Sequence, residues 1–223
     1  MTVVLGADGC PDDGWVVAEV PGRGRSVRWH VVTGAAALLA LADDLGAAAL
    51  ALDVPIGLPE AGTRACDVEA RRRLPGRASS VFAAPPRGAL AHTTYAGARP
   101  HVPTLSAQTF ALVPRIRDVD EVLRRAGNGV HRRVVECHPE VSFARLTGQS
   151  LPRKKSARGA LLRLQALQAD LGPVPAEVPD GPGLDDALDA LACAWTARRW
   201  HRGEAEVLGG ELDATGVPMR IVV

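Results

Sequence analysis

Short apolar runs rich in β-branched residues alternate with one longer stretch of helical spacing in the first quarter of the chain. The run "TVVLGAD" predicts a central strand that ends at Asp8. "GWVVAEV" and "SVRWHVV" follow, separated by the turn-forming "PGRGR", so three strands are predicted to form an antiparallel meander. "GAAALLALADDL" has helical spacing, and "AAALALD" is then predicted to be a buried strand closed by Asp53.

The pattern changes at Thr63. From there to about Ala126 the chain is Arg-rich, with several prolines and short helical pieces, which predicts a helical insertion over residues 63–126. Within it, "SSVFAAPP" has the extended, proline-bounded form of a loop that packs over a cleft. "HRRVVECHPEV" then predicts a strand from His131 to about His138, "KKSARGALLRLQALQADL" an amphipathic helix, and a last helix is predicted from Leu184 to about Arg202.

The order of these elements predicts an α/β fold. A β-meander followed by right-handed crossovers gives a mixed five-stranded sheet with helices on both faces. We expect one domain over residues 1–223, with the insertion between its core elements.

Composition narrows the class of protein. Hydrophobic residues make up 47% of the 223 residues and charged residues 23%, as in an ordinary globular protein. The net charge of +1 provides no global attraction for nucleic acid, so an anion site would have to be a local patch. The four cysteines form no CxxC pair, which argues against a zinc module or a disulfide scaffold. With no signal peptide visible and the longest apolar tract interrupted by Asp43 and Asp44, we expect a cytoplasmic protein outside the membrane.

Several acids are predicted to converge at one edge of the sheet. Asp8 ends the first strand and Asp53 the fourth, and ligands of such sheets gather beyond the carboxyl ends of parallel strands. Glu136 lies near the end of the next strand. In "GLDDALDALACAW", Asp186 and Asp189 are three residues apart and share one face of the last helix.

These acids also have ordinary structural explanations. An aspartate at the start of a helix can cap free backbone N–H groups. Capping is the favoured interpretation of Asp185 and a weaker one for Asp186. It fails for Asp189, which lies one turn further into the helix. Asp8 and Asp53 could each close a turn. Crowded carboxylates, however, raise one another's pKa unless a cation holds them together, and magnesium prefers carboxylate oxygens. The convergence therefore predicts a divalent-metal site.

Three motifs, "VVLGADG", "LALDVPIGLPE" and "DDALDALACAW", together resemble those of the ribonuclease-H-like nucleases. The last helix is similar to that of RuvC-type junction resolvases, whose Asp-x-x-Asp-Ala-Leu-Ala pattern Asp186 and Asp189 match. Almost end to end, the chain also resembles an uncharacterised bacterial family of predicted nucleases of this fold. The segments that carry this resemblance are "RACDVEARRRLPGRASSVFAAPPR", "LSAQTFALVPRIRDVD" and "ECHPEVSF".

The resemblance implies a ribonuclease-H-like fold and a two-metal nuclease that hydrolyses phosphodiester bonds of DNA or RNA. Two Mg²⁺ or Mn²⁺ ions about 4 Å apart would activate water and stabilise the leaving oxygen. Asp8 would bridge both ions, Asp53 would bind one, and Asp186 with Asp189 the other. Glu136 is the alternative for one of these ligands.

Candidate substrate contacts come from the insertion and from the only two lysines. The polar residues of the insertion could line a wall that contacts the phosphates or bases of a substrate. Alternatively, they could form salt bridges within a structural cap. These residues are Arg64, Asp67, Arg71, Ser79, Ser80, Arg87 and Gln108. Lys154 and Lys155 suit phosphate contacts, with a solvated pair before a helix as the alternative. His138 could act as an acid or base near neutral pH, or cap the helix that Pro139 begins.

Two other classes of function remain open. An ATP-binding protein of the actin or sugar-kinase type shares this sheet topology, but "ADGCPDDG" supplies only a partial first phosphate loop and no second loop follows. A non-catalytic nucleic-acid-binding or scaffold protein could have kept the fold, although retention of all the acids argues against it.

Overall fold

The computed structural model describes residues 2–21 and 26–223, so most of the predicted "PGRGR" turn lies outside the described residues. The main sheet has five strands in the order β3-β2-β1-β4-β5. They are β1 (Val3–Cys10), β2 (Gly14–Pro21), β3 (Arg28–Thr33), β4 (Ala47–Leu52) and β5 (Val134–Glu136). β1, β2 and β3 are antiparallel, whereas β4 pairs parallel with both β1 and β5. The predicted α/β fold with a mixed five-stranded sheet is confirmed, and the arrangement is consistent with a ribonuclease-H-like one.

In the described part of the chain, eight α-helices surround or extend this sheet. They are α1 (Gly34–Asp44), α2 (Ala65–Arg72), α3 (Tyr95–Ala98), α4 (Ala107–Ala111), α5 (Val113–Ala126), α6 (Pro139–Thr147), α7 (Ala157–Leu171) and α8 (Leu184–His201). One face of the sheet packs against α8 and α7, and the other against α1 and α5. β1 and β4 are buried on both faces, which explains why they appear in the sequence as nearly continuous apolar runs.

The contact between α8 and β1 is unusually close. A Cβ atom added at Gly6 would lie 1.9 Å from the backbone nitrogen of Ala194 and 2.3 Å from the carbonyl oxygen of Ala190. Glycine on the strand and alanines on the helix therefore let the two backbones meet directly. Every residue of α8 from Ala187 to Ala197 is buried. This packing brings the first turns of α8 to the edge of the sheet where β1 and β4 end.

The Arg-rich segment from Thr63 to Ala126 consists of α2 to α5 and two 3₁₀ helices, Ala78–Ser80 and Arg87–Ala91. Its last helix, α5, buries Ile116, Val119 and Leu123 in the core on the α1 face of the sheet. Its first helix, α2, packs through Cys66 and Ala70 against a β-hairpin formed by residues 207–222. The segment is thus helical and joins two separate parts of the core.

The structure differs from the predictions near β5 and at the C-terminus. The predicted strand from His131 to His138 is shorter, because Asn128–Arg132 form a 3₁₀ helix and Pro139 begins α6. The hairpin of β6 (Val207–Leu212) and β7 (Pro218–Val222) was not predicted. Its first strand contains a Gly-Gly irregularity that hides the apolar alternation. Among the described residues, none of the helices is long and apolar enough to cross a membrane.

Candidate metal centre

Three aspartates from three elements meet at the edge of the sheet. Asp8 lies in β1, Asp53 directly follows β4, and Asp189 lies in the second turn of α8. One carboxylate oxygen from each lies within 4.8 Å of the other two. The Asp53 backbone N–H donates to the Ala7 carbonyl at 3.1 Å, which continues the parallel ladder and aligns Asp53 with Asp8. Asp8, Asp53 and Asp189 are called the acid triad below.

Among the described residues, few N–H groups of the protein donate to the carboxylates of the acid triad. Asp8 is 8% exposed, and its Oδ1 accepts from the Gly9 backbone N–H at 2.7 Å. Asp189 is 3% exposed, and its Oδ2 accepts from Lys154 Nζ at 2.5 Å. The other oxygen of Asp189, Oδ1, is buried and finds no hydrogen-bond partner in the described part of the chain. A buried charged oxygen without a partner is costly, so this atom points to a missing ligand.

The electrostatics of the triad favour a further cation. Burial raises the pKa of Asp8 well above its usual range, and the charges of Asp53 and Asp189 raise it further. Burial likewise raises the pKa of Asp53 and of Asp189 to about 7, although Lys154 opposes both shifts. Burial lowers the pKa of Lys154, but Asp189, Asp8 and Asp185 more than offset this and keep it charged. One ammonium group therefore faces three carboxylates, and the donor set is all oxygen, as Mg²⁺ prefers.

The two aspartates at the start of α8 differ in their contacts. Asp186 Oδ2 accepts from the Gly183 backbone N–H at 2.9 Å, so Asp186 reaches back and caps the helix. Asp185, the residue for which capping was favoured, instead places its Oδ2 at 3.8 Å from Lys154 Nζ. Asp186 borders the same cavity as the triad but is not one of its three converging carboxylates.

Glu136 belongs to a second buried cluster. Its two carboxylate oxygens accept from Arg64 Nη1 and Nη2, both at 2.7 Å, and Oε2 also accepts from the Ile56 backbone N–H at 2.7 Å. Arg64 further donates to Asp67 and to the carbonyl oxygens of Ile56 and Gly57. Arg64, Asp67 and Glu136, called the arginine cluster below, lie beside the triad with their charges paired inside the protein.

The remaining candidate substrate residues are distributed differently. Arg71 donates to the Val81 carbonyl at 3.1 Å, and Arg87 pairs with Asp120 at 3.1 Å and Asp213 at 2.5 Å. Ser80 borders the cavity and donates to the Arg77 carbonyl. Three residues are exposed and lie away from the cavity lining: Ser79, Gln108 and Lys155. Lys154, in contrast, lies at the acid triad.

His138 borders the cavity close to the arginine cluster. Its Nε2 lies 3.3 Å from the Ser80 carbonyl oxygen, and its Nδ1 is buried without a partner among the described residues. Burial lowers the pKa of His138, so the ring is neutral near pH 7. With Nε2 donating to the carbonyl, Nδ1 is left as a free acceptor.

The cavity in front of the triad measures about 520 Å³. The segment "SSVFAAPP", expected to pack over a cleft, contributes residues from Ser80 to Pro85 to its wall. Sequence reasoning missed Arg77, Leu112, Arg115 and Glu140, which also line it. Arg115 donates to the Cys10 carbonyl at 2.9 Å, 105 residues away in the chain, and no local pattern could have indicated that contact.

Comparison with known families gives one match. Residues 6–214 match the family described as a protein of unknown function, DUF429. The chain belongs to this family. No curated protein and no solved structure gives a significant match. The family description assigns no activity, so the expected nuclease activity stays a prediction.

Proposed function

We propose that this DUF429 protein is a divalent-metal-dependent hydrolase of phosphodiester bonds in nucleic acid. One observation carries the proposal: carboxylate oxygens of Asp8, Asp53 and Asp189 converge within 4.8 Å at the carboxyl edge of a mixed sheet. In sheets of this kind, ligands bind beyond the carboxyl ends of the parallel strands. The adjoining cavity gives a substrate access to the triad.

The residues present fit a hard divalent cation such as Mg²⁺ or Mn²⁺. All three converging atoms are carboxylate oxygens, and the buried Oδ1 of Asp189 has no partner among the described residues. Burial raises the pKa of Asp53 and of Asp189 to about 7, and the charge of Asp53 adds to the shift of Asp189, so a bound cation would stabilise the ionised carboxylates. When bound, such an ion supplies Lewis acidity at a phosphoryl oxygen and makes water a better nucleophile at neutral pH.

The roles of the chain's own residues follow from where they lie. Asp8, Asp53 and Asp189 would hold the ion, and Asp8 is central because it lies in the middle strand of the sheet. Lys154, paired with Asp189, would offset part of the negative charge of the triad. A second ion would need a ligand such as Asp186, which would have to release the Gly183 N–H that it now caps.

The test is metal-dependent cleavage by three purified proteins. The parent should cleave oligonucleotides with Mg²⁺ or Mn²⁺ and not with a chelator, and Asp8→Asn should lose the activity. Asp12→Asn is the matched control, since Asp12 is an exposed aspartate four residues away at φ 57°, a conformation that asparagine accepts. It should cleave like the parent.

Two results would contradict the proposal. Cleavage that persists in Asp8→Asn would point to a contaminating nuclease. A parent protein that is stabilised by ATP with Mg²⁺ but cleaves no nucleic acid would favour the ATP-binding alternative.

A further inference from the structure

The wall of the cavity in front of the acid triad combines charged and apolar side chains. The triad is among the charged ones, and Val81, Phe82 and Leu112 are among the apolar ones. Phe82 is 48% exposed and Leu112 is 36% exposed, so both apolar side chains are accessible to a ligand in the cavity. A volume of about 520 Å³ falls in the range of pockets that hold one small ligand, roughly 300–1,000 Å³.

The cations that line this cavity already have partners inside the protein. Arg64 pairs with Glu136 and Asp67, and Lys154 pairs with Asp189. Arg77 donates to the Leu151 carbonyl at 2.9 Å and lies 3.2 Å from Glu140, while Arg115 donates to the Cys10 carbonyl. Proteins that follow a long nucleic-acid backbone use rows of basic side chains that contact phosphates. This wall differs: in the described part of the chain it has four arginine and lysine side chains, of which three pair with carboxylates. The fourth, Arg115, donates to the Cys10 and Gly14 carbonyls and lies over the Trp15 ring.

These features define a ligand with one flat apolar part and one phosphate. We propose that the cavity accepts a single unpaired nucleotide, with its base against Phe82 and its phosphodiester at the acid triad. The substrate would be a single-stranded end or a short oligonucleotide, not a duplex. Base stacking on an exposed aromatic ring supplies affinity without sequence preference, and a base inside a duplex would first have to be extruded from its stack. This inference rests on the proposed phosphodiester hydrolysis.

Binding of matched oligonucleotides tests the inference. The probes are a dinucleotide, a longer single strand and a hairpin duplex, all phosphorothioate-linked to slow cleavage and all labelled for fluorescence anisotropy in Mn²⁺. The dinucleotide should bind within a few-fold of the longer strand, and the duplex should bind at least about tenfold more weakly. Phe82→Ala should weaken single-strand binding by about tenfold or more.

Two control variants distinguish the loss of base stacking from a general loss of apolar surface or of stability. Leu161→Ala removes another exposed apolar side chain, on α7 and away from the cavity, and should bind like the parent. Phe82→Leu keeps apolar bulk but lacks the aromatic face, so it should bind more weakly than the parent. Because Phe82 is half exposed, both Phe82 variants should keep the parent's melting temperature and its response to Mn²⁺.

The inference is overturned if the duplex binds as tightly as the single strand, if affinity rises steadily with strand length, or if Phe82→Ala binds unchanged. Its failure is distinguishable from failure of the proposed function. Metal-dependent cleavage without any preference for unpaired ends would overturn the pocket assignment alone. Phe82-dependent binding of single strands without metal-dependent cleavage would support the pocket and overturn the hydrolase proposal.

Discussion

Two buried clusters of carboxylates lie side by side at one cavity, and they differ in how completely their oxygens are hydrogen-bonded. Burial raises the pKa of Glu136 in one cluster to about 7, as it does for Asp53 and Asp189 in the other. In the arginine cluster, both oxygens of Glu136 accept from Arg64, and Arg64 donates to Asp67 as well. The Asp67 carboxylate also accepts from the Ala84 backbone N–H at 3.0 Å. The hydrogen bonding of the carboxylates in this cluster is therefore complete.

The hydrogen bonding of the acid triad, in contrast, is incomplete. Three carboxylates share one ammonium group, Lys154, and one buried oxygen of Asp189 lacks a partner among the described residues. Both clusters are buried and both border the cavity, so burial alone does not distinguish them. Completeness of hydrogen bonding does: no oxygen of Glu136 or Asp67 is left without a partner, whereas Asp189 Oδ1 is without one among the described residues and could accept a cation.

The largest expected effect comes from breaking the complete cluster. Arg64→Met would leave Glu136 and Asp67 buried without their cation, and removing one partner of a buried pair costs about 3–5 kcal/mol. Urea unfolding should therefore show a severe loss of stability or no folded protein. Arg71→Met, on the adjacent helix, removes one hydrogen bond to Val81 and should cost only about 1 kcal/mol. An Arg64→Met protein as stable as the parent, with weaker substrate binding, would show that Arg64 serves the substrate instead.

Removing the ammonium group of Lys154, which pairs with Asp189, should have a smaller effect with two components. Lys154→Met should lower the stability of the metal-free protein, because three carboxylates then lack a counter-charge. It should also tighten Mn²⁺ binding by about tenfold or more, since a nearby unit charge repels a cation by more than 1 kcal/mol at an effective dielectric constant of about 20. Lys155→Met, an exposed neighbour, is the control and should change neither quantity. Isothermal titration with Mn²⁺ measures the affinity, and weaker binding by Lys154→Met would contradict this view of the triad.

The metal-free protein should also show a pH dependence of stability. The folded protein keeps protons on Asp53 and Asp189 up to about pH 7, whereas the unfolded chain releases them near pH 4. The folded state therefore binds more protons in this window, and its stability should fall as pH rises from about 4 to about 7. The charges facing these carboxylates are Lys154, Glu140 and Arg115.

The midpoint of urea unfolding, measured in the presence of a chelator at several pH values from about 4 to about 7, tests this fall in stability. Saturating Mn²⁺ should reverse it, because the metal binds the ionised carboxylates. Midpoints that rise with pH in the chelator would mean that the triad is already neutralised within the fold.

The sheet and the convergence of the triad residues could be predicted from the sequence for simple reasons. Apolar runs identified the strands, and the rule that parallel strands share a carboxyl edge placed Asp8 near Asp53. Helical spacing placed both Asp186 and Asp189 on the facing side of α8. It could not decide between them, because the choice depends on Asp186 reaching back to the Gly183 N–H.

The residues of the cavity wall were harder to assign because their partners are distant in the chain. Glu136 meets Arg64 across 72 residues, and Arg87 meets Asp213 across 126. A single sequence shows the residue types that could contact phosphate but not which ones the fold has already paired. Arg64 and Arg87 therefore looked available for substrate when the sequence was considered alone.

The central claim is that the acid triad is a metal site, and thermal unfolding of two proteins with and without Mn²⁺ tests it most directly. Without metal, Asp8→Asn should melt at or above the temperature of the parent, because it relieves repulsion from Asp53 and Asp189. Mn²⁺ should stabilise the parent by about 2.7 kcal/mol at a hundredfold excess over its dissociation constant, and the variant should lose most of that gain. An unshifted parent curve, or a variant that melts early and still responds to Mn²⁺, would contradict the claim.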